Sequence, residues 1–225
     1  MTVSTQMKTQ NPLALKAGER GILVGRTGSG KTTLARYILA VSTCRWIILD
    51  RKHDDALKEN AKVFYGLPSV ESISEAFDEF SRVLLRPTPS QFREGYVDEF
   101  IYMLHEAFEN VGLYVDELLS LHSNGRPGDG LTIWLTQGRS KRQTFLGSSQ
   151  RPAWINSFIF SEADEMFVMA LNKLEDRKKM YDNIGAEEVK NKLTKRFFYK
   201  YTVEEDRLEL YNPVVIKTKF RIDKS

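Results

Sequence analysis

Cysteine is nearly absent from this 225-residue sequence. The single thiol, Cys44, excludes an intrachain disulfide, which fits a reducing compartment, and it leaves no cysteine set for a structural zinc. The three histidines, His53, His105 and His122, are scattered and carry no metal-ligand spacing. No apolar run approaches the roughly 18–20 residues that a membrane-spanning helix needs. The stretch from Met1 to Lys16 is polar and lacks the apolar core of a signal peptide. A soluble, intracellular protein with no transmembrane segment is expected. Charge of one sign is missing as well. The 33 Lys and Arg residues face 30 Asp and Glu, and a net of +3 is too small to argue for nucleic acid by itself. Internal repeats, low-complexity tracts and linkers are also lacking.

The chain does have enough apolar residues, 41%, for one proper core. Short apolar runs read as buried strands at Gly21–Val24, Arg45–Asp50, Val63–Tyr65, Val83–Leu85, Val111–Val115, Thr144–Gln150 and Met166–Leu171. Helical spacing falls at Thr32–Leu39, at Ser72–Phe80 with Ser72 as N-cap, along one long segment Phe92–Phe108, at Gly130–Ser140 and at Glu175–Asn183, stopped by Gly185. Phe197–Thr202 and Arg207–Tyr211 flank a polar turn and predict a C-terminal hairpin. Strands alternating with helices imply a mostly parallel sheet covered on both faces. Residues 1–15 read as an N-terminal arm, mobile or laid on an edge, and 16–225 as a single domain.

Gly25-Arg26-Thr27-Gly28-Ser29-Gly30-Lys31-Thr32 fits the Walker A pattern, and Thr33 continues it into the helix. Glycines let a backbone wrap a phosphate closely, and amides at the helix start point at the anion. Lys31 supplies positive charge to the outer phosphates, and the Thr32 hydroxyl suits Mg²⁺. A flexible Gly/Ser surface loop is the plainer reading, but a strand before the loop and a helix after it favour the phosphate site. Leu113-Tyr114-Val115-Asp116-Glu117 is an apolar strand ending in two acids. Ligands sit beyond the carboxyl ends of parallel strands. Asp116 is therefore expected to hold Mg²⁺, with Glu117 as the base for water. Asp50 competes for the metal role, although Arg51 rather than an acid follows it.

These motifs, followed by Gln137-Gly138-Arg139-Ser140 and Ser149-Gln150-Arg151-Pro152, resemble the FtsK–HerA group of DNA-translocating ATPases. The resemblance is greatest to the genome-packaging ATPases of tailless double-stranded DNA viruses and covers about residues 20–170. It implies an α/β fold: a three-layer P-loop NTPase of the RecA-like, additional-strand catalytic glutamate type, with a mostly parallel central sheet. It also implies a motor that hydrolyses ATP with Mg²⁺, works as a ring (hexamer, or alternatively pentamer) around double-stranded DNA, and meets a capsid or vertex protein in the host cytoplasm or at the virion's packaging vertex. Gln150 matches the residue that senses the γ-phosphate. Arg139 matches a finger that reaches a neighbour's ATP, with Arg151 as the rival. Asp50 and Lys52 match a strand-end feature to which no role is assigned.

Arg139, Lys141, Arg142 and Arg151 form a run free of acids, so Lys141, Arg142 and Arg151 are candidate DNA contacts. Lys190, Lys192, Lys195, Arg196 and Lys200 form a second basic stretch, equally compatible with a solvated face. A P-loop small-molecule kinase is the first alternative, disfavoured by the Asp-Glu pair and the missing Arg-rich lid. A non-packaging DNA-translocating ATPase, or a morphogenesis or export ATPase, is the second and ranks above the kinase.

Overall fold

Five consecutive residues, Arg20–Val24, are buried as strand β1 at the centre of the protein. Ile22 and Val24 point to one face of the sheet and Leu23 to the other, as the two-residue period of a strand requires. The computed structural model describes residues 11–123 and 125–216. After β1 come α1 (Lys31–Val41), β2 (Arg45–Leu49), β3 (Ala61–Tyr65), α2 (Val70–Glu79), β4 (Arg82–Arg86), α3 (Pro89–Arg93), α4 (Tyr96–Ala107) and β5 (Val111–Val115). A two-residue hairpin, β6 (His122–Ser123) with β7 (Arg126–Pro127), precedes α5 (Asp129–Gln137), β8 (Thr144–Ser149), α6 (Ser157–Ser161), β9 (Glu165–Met169), α7 (Leu174–Ile184), β10 (Phe198–Thr202) and β11 (Arg207–Tyr211).

Among the described residues, nine strands form one sheet in the order β11-β10-β9-β1-β8-β5-β2-β4-β3. From β9 to β3 every pairing is parallel, and β10 and β11 add the antiparallel C-terminal hairpin at one edge. β8 lies between β1 and β5, so one strand is inserted between the strand that feeds the Gly-rich loop and the strand that ends in the acids. This is the additional-strand arrangement expected from the sequence.

Three layers result. One face is packed by α2, α4, α5, α6 and α7, through side chains such as Ile73, Leu104, Trp134, Ile159 and Met180. The other face carries α1, whose Leu34, Ala35, Ile38 and Leu39 lie on it. A single helix cannot cover that face, and irregular segments complete it with Leu13, Leu15, Leu57 and Val214. This corrects the arm boundary for residues 11–15. Leu13 and Leu15 are 6% and 2% exposed, the Leu15 amide donates to Ser42 Oγ at 3.0 Å, and Lys200 donates to the Pro12 carbonyl at 2.8 Å. Residues 1–10 of the expected arm lie outside the described residues.

Two helix readings are also corrected. The long segment Phe92–Phe108 is two helices, because Gly95 adopts φ 81° between them and Thr88 caps α3 in a capping box with Gln91. The cap of α2 is Ser69 rather than Ser72, since the Ser69 hydroxyl accepts from the Ser72 amide and starts the helix earlier.

Gly112 in β5 faces Trp46 across the β2–β5 pairing, and the indole, 1% exposed, fills the space a side chain would need. Gly112→Ala would drive a methyl group into that ring. We expect a loss of about 1–3 kcal/mol of stability, read as a lower denaturation midpoint with an unchanged denaturant slope.

Candidate active site

The parallel strands bring their carboxyl ends to one edge of the sheet, and the site is built there. β1 leads into the loop Gly25–Gly30, and α1 begins at Lys31. Gly28 and Gly30 adopt φ 72° and 107°, which side chains rarely take. A Cβ on Gly25 would lie 2.6 Å from Ser29 Oγ and 2.8 Å from Met169 Cβ. The loop is tied to the neighbouring strands by Gly25 N–H to the Ser149 carbonyl at 3.2 Å and Arg26 N–H to the Ala170 carbonyl at 2.9 Å. Helices α2, α3 and α6 are capped by the side chains of Ser69, Thr88 and Asn156, and α4, α5 and α7, which lack such a cap, carry acids in their first turns. The start of α1 has no side-chain cap and no acid in its first turn. Its amides and the positive end of its dipole are left for an anion.

Lys31 is 8% exposed and donates to the Gly25 carbonyl at 2.6 Å and the Arg26 carbonyl at 3.2 Å. Burial, and secondarily the Lys52 ammonium, push its pKa down to about 8, against the attraction of Glu117 and Asp116. Thr32 is half-buried and Thr33 exposed at the same helix start. Asp116 and Glu117 follow β5 directly, beside the continuation of β2. Asp116 is 3% exposed, and burial raises its pKa despite the nearby Lys52 and the Tyr114 hydroxyl, which donates to Oδ1 at 2.9 Å. The Ser148 hydroxyl donates to the Asp116 carbonyl at 2.6 Å, and the Ser149 hydroxyl donates to Glu117 Oε1 at 3.1 Å. Gln150 directly follows β8 next to the loop, and its Oε1 accepts from the Thr27 hydroxyl at 2.5 Å. The carboxylate of Asp116 and the hydroxyl of Thr32 are hard oxygen donors of the kind Mg²⁺ takes, and a buried carboxylate wants a cation partner.

Asp50, the competing metal ligand, is engaged elsewhere. It is fully buried, with Oδ2 accepting from Arg86 Nε at 2.9 Å and Oδ1 from the Asp54 amide at 3.0 Å. Lys52, which the sequence leaves without a role, lies 3.4 Å from Asp116 Oδ2 and 3.1 Å from Glu117 Oε2. The signal that finds it is register: Leu49 pairs with Val115, so the residues after the two strands lie side by side.

The basic residues do not form one patch. Arg139, Lys141 and Arg142 precede β8 and Arg151 follows it, so a six-residue strand, roughly 20 Å, separates them. Arg139 pairs with Asp164 at 2.6 Å and packs near Gly18, at the amino ends of β9 and β1 and the opposite edge from the loop. Lys141 donates to the His105 carbonyl at 2.9 Å at the end of α4. Arg151 is neutralised by Glu175 and Asp176 and stacks 4.1 Å above the Trp154 ring. Arg142 is exposed and has no ion pair among the described residues. The run looks acid-free only along the chain, because its acids come from other elements. The second stretch also divides. Lys200 is buried against Glu165 at 3.1 Å, and Lys190 pairs with Glu187 at 2.8 Å. Arg196, at φ 71°, lies over Gly30. With Thr33, Leu34, Met169, Phe198 and Val214 it lines a recess of about 130 Å³ opening beside the phosphate loop.

With this geometry in place, comparison with known proteins is informative. No family model matches the sequence. The chain is 29% identical to the DNA packaging ATPase P9 of Enterobacteria phage PRD1, over 71% of this chain and 67% of P9. Among solved structures it superposes on the DNA-packaging ATPase B204 of Sulfolobus turreted icosahedral virus with a TM-score of 0.70 at 17% identity, covering 89% of this chain and all of B204. The genome packaging NTPase B204 of Sulfolobus turreted icosahedral virus 2, in complex with ATP-gammaS, gives a TM-score of 0.71 at 17% identity with the same coverage. The chain is thus similar in sequence to a DNA packaging ATPase over more than two thirds of its length, and it shares its fold with two further viral packaging NTPases.

Proposed function

We propose that the protein is an ATP-hydrolysing motor that moves double-stranded DNA into a viral capsid. The observation that carries the catalytic part is the uncapped start of α1 facing the Asp116–Glu117 strand end, with Gln150 hydrogen-bonded between them to Thr27. The relatives' description as packaging ATPases supports the DNA and capsid part.

In this reading the backbone from Gly25 to Thr33 and the Lys31 ammonium hold the β and γ phosphates. The base turns into the recess beside Thr33, against Arg196 and Met169. Thr32 and Asp116 would hold Mg²⁺, which when bound neutralises charge on the phosphate oxygens. Glu117 takes the proton of the attacking water. Gln150 and Thr27 share one hydrogen bond, so a γ-phosphate that engages either group changes the loop after β8. Arg139 lies across the sheet from its own loop, so it can serve only a neighbouring subunit's ATP, as a ring allows. DNA, ring neighbours and a capsid or vertex protein are the partners, in the host cell at the assembling capsid. Lys141 and Arg142, at the edge away from the loop, are the better-placed phosphate contacts, and Arg151 is held by its acids. A kinase is disfavoured by the Asp116–Glu117 pair, since a carboxylate base suits water as the acceptor.

ATP turnover measured with and without double-stranded DNA tests the motor. We expect clear stimulation by DNA in the assembled state, and turnover indifferent to DNA would remove translocation from the account. Lys31→Ala should abolish nucleotide binding or turnover. Glu117→Gln should keep binding while kcat falls by roughly 10²–10⁴, measured by phosphate release alongside binding of a fluorescent ATP analogue. Arg139→Ala should also keep binding and lose kcat by roughly 10³, and it should be rescued in mixed rings where a wild-type neighbour supplies the guanidinium. Full turnover by the pure variant would take Arg139 out of the mechanism.

A further inference from the structure

Each acid at the end of β5 has one carboxylate oxygen fixed by a hydroxyl of the sheet and the other turned to Lys52. Tyr114 donates to Asp116 Oδ1 and Ser149 donates to Glu117 Oε1. The remaining oxygens, Asp116 Oδ2 and Glu117 Oε2, lie 3.4 and 3.1 Å from the same Lys52 ammonium. The hydroxyls are carried by strand residues and have nowhere to go. Lys52 sits on a turn at the end of a four-carbon stem, and its side chain is 38% exposed. A divalent cation taken up by Asp116 therefore needs the oxygen Lys52 now occupies, and an ammonium cannot share that place with a second cation.

The turn is built to aim this lysine. Asp50, locked by Arg86, accepts the Asp54 amide, and His53 between them takes φ 57°. The backbone of Lys52 is thereby set beside Asp116, and its ammonium donates to the Asp116 carbonyl as well, at 3.4 Å. No other acid lies within ion-pair distance of it among the described residues.

We propose that Lys52 is an exchangeable counter-charge. It holds Asp116 and Glu117 together before the nucleotide and its divalent cation bind, and it leaves both acids on loading, so that Glu117 is freed for water only then. The idea rests on the ATPase reading above and adds to it a positioning residue outside both nucleotide motifs. It accounts for how two carboxylates can stand side by side at a buried strand end, and it ties the readiness of the base to occupancy of the site.

Mn²⁺ binding to the nucleotide-free protein, followed by electron paramagnetic resonance, tests it without relying on turnover. Lys52→Met and Lys52→Gln should bind Mn²⁺ about tenfold more tightly than wild type, and Lys52→Arg, which keeps the charge, should bind as weakly as wild type. Folded Met and Gln variants with wild-type Mn²⁺ affinity would overturn the proposal. Loss of cooperative folding in both, with Lys52→Arg intact, would also overturn it, since Lys52 would then be a fixed strut. Uptake of a fluorescent ATP analogue by the wild-type protein separates the two ideas. If wild type takes no nucleotide, the ATPase reading fails. If it does, and the Mn²⁺ result is flat, Lys52 alone is wrongly assigned.

Discussion

The site depends on the parallel pairing of β5 with β8 on one side and β2 on the other. That pairing sets Leu49 beside Val115 and Val115 beside Gly147, so three chain segments leave the sheet at the same level. Asp116 and Glu117 come from one, Lys52 from the second, Ser148, Ser149 and Gln150 from the third. β1 pairs on the far side of β8, with Val24 opposite Ser149, and delivers the phosphate loop to the same edge. A slip of one residue in any of these ladders would exchange the faces of a whole strand. The apolar alternation of β1, β2 and β5 between two cores forbids such a slip. Hydrophobic packing thus fixes the positions of the charges without touching them.

The charges themselves work against stability. Lys31 and Asp116 are buried, and burial shifts both pKa values toward the neutral form. The fold offsets this locally. Lys31 is returned to two loop carbonyls, Asp116 has Tyr114 and Lys52, and Glu117 has Ser149 and Lys52. The buried Asp50–Arg86 pair is a separate matter. It satisfies both its members and shapes the turn, and removing one partner would strand the other in the core at a cost of about 3–5 kcal/mol. Its place next to the acids shows how a structural ion pair can imitate a metal ligand in sequence.

Much of this was legible from residue order. The Walker A loop and the acid pair announce themselves by local pattern, because each is a short segment ending an apolar strand, Gln150 is pointed to by the family resemblance, and the sheet brings all three together. The hairpin and most strands were legible for the same reason. Features set by contacts between distant segments were not. Leu13 and Leu15 look like part of an arm because nothing nearby in the chain says that the α1 face needs cover. Arg139, Lys141, Arg142 and Arg151 look like one basic patch until β8 separates them and Asp164, Glu106, Glu175 and Asp176 arrive from elsewhere. Gly95 divides a segment whose apolar spacing is helical on both sides of it, so periodicity alone reads one helix.

The two edges of the sheet also constrain how copies can cooperate. Parallel strands give every subunit a carboxyl edge with the phosphate loop and an amino edge with Arg139 and the Asp164 that holds it. A strand of five or six residues is roughly 16–20 Å long, beyond the reach of an arginine side chain. No rotamer of Arg139 can therefore meet the phosphates of its own chain. On the ATPase reading proposed above, a head-to-tail contact, in which one subunit's amino edge meets the next one's carboxyl edge, would bring the guanidinium to the phosphates and could repeat around a closed ring. In such a ring Arg139 would have to leave Asp164 to reach a neighbour's nucleotide. Hydrolysis in one subunit would then be sensed as an ion pair made or broken in the next.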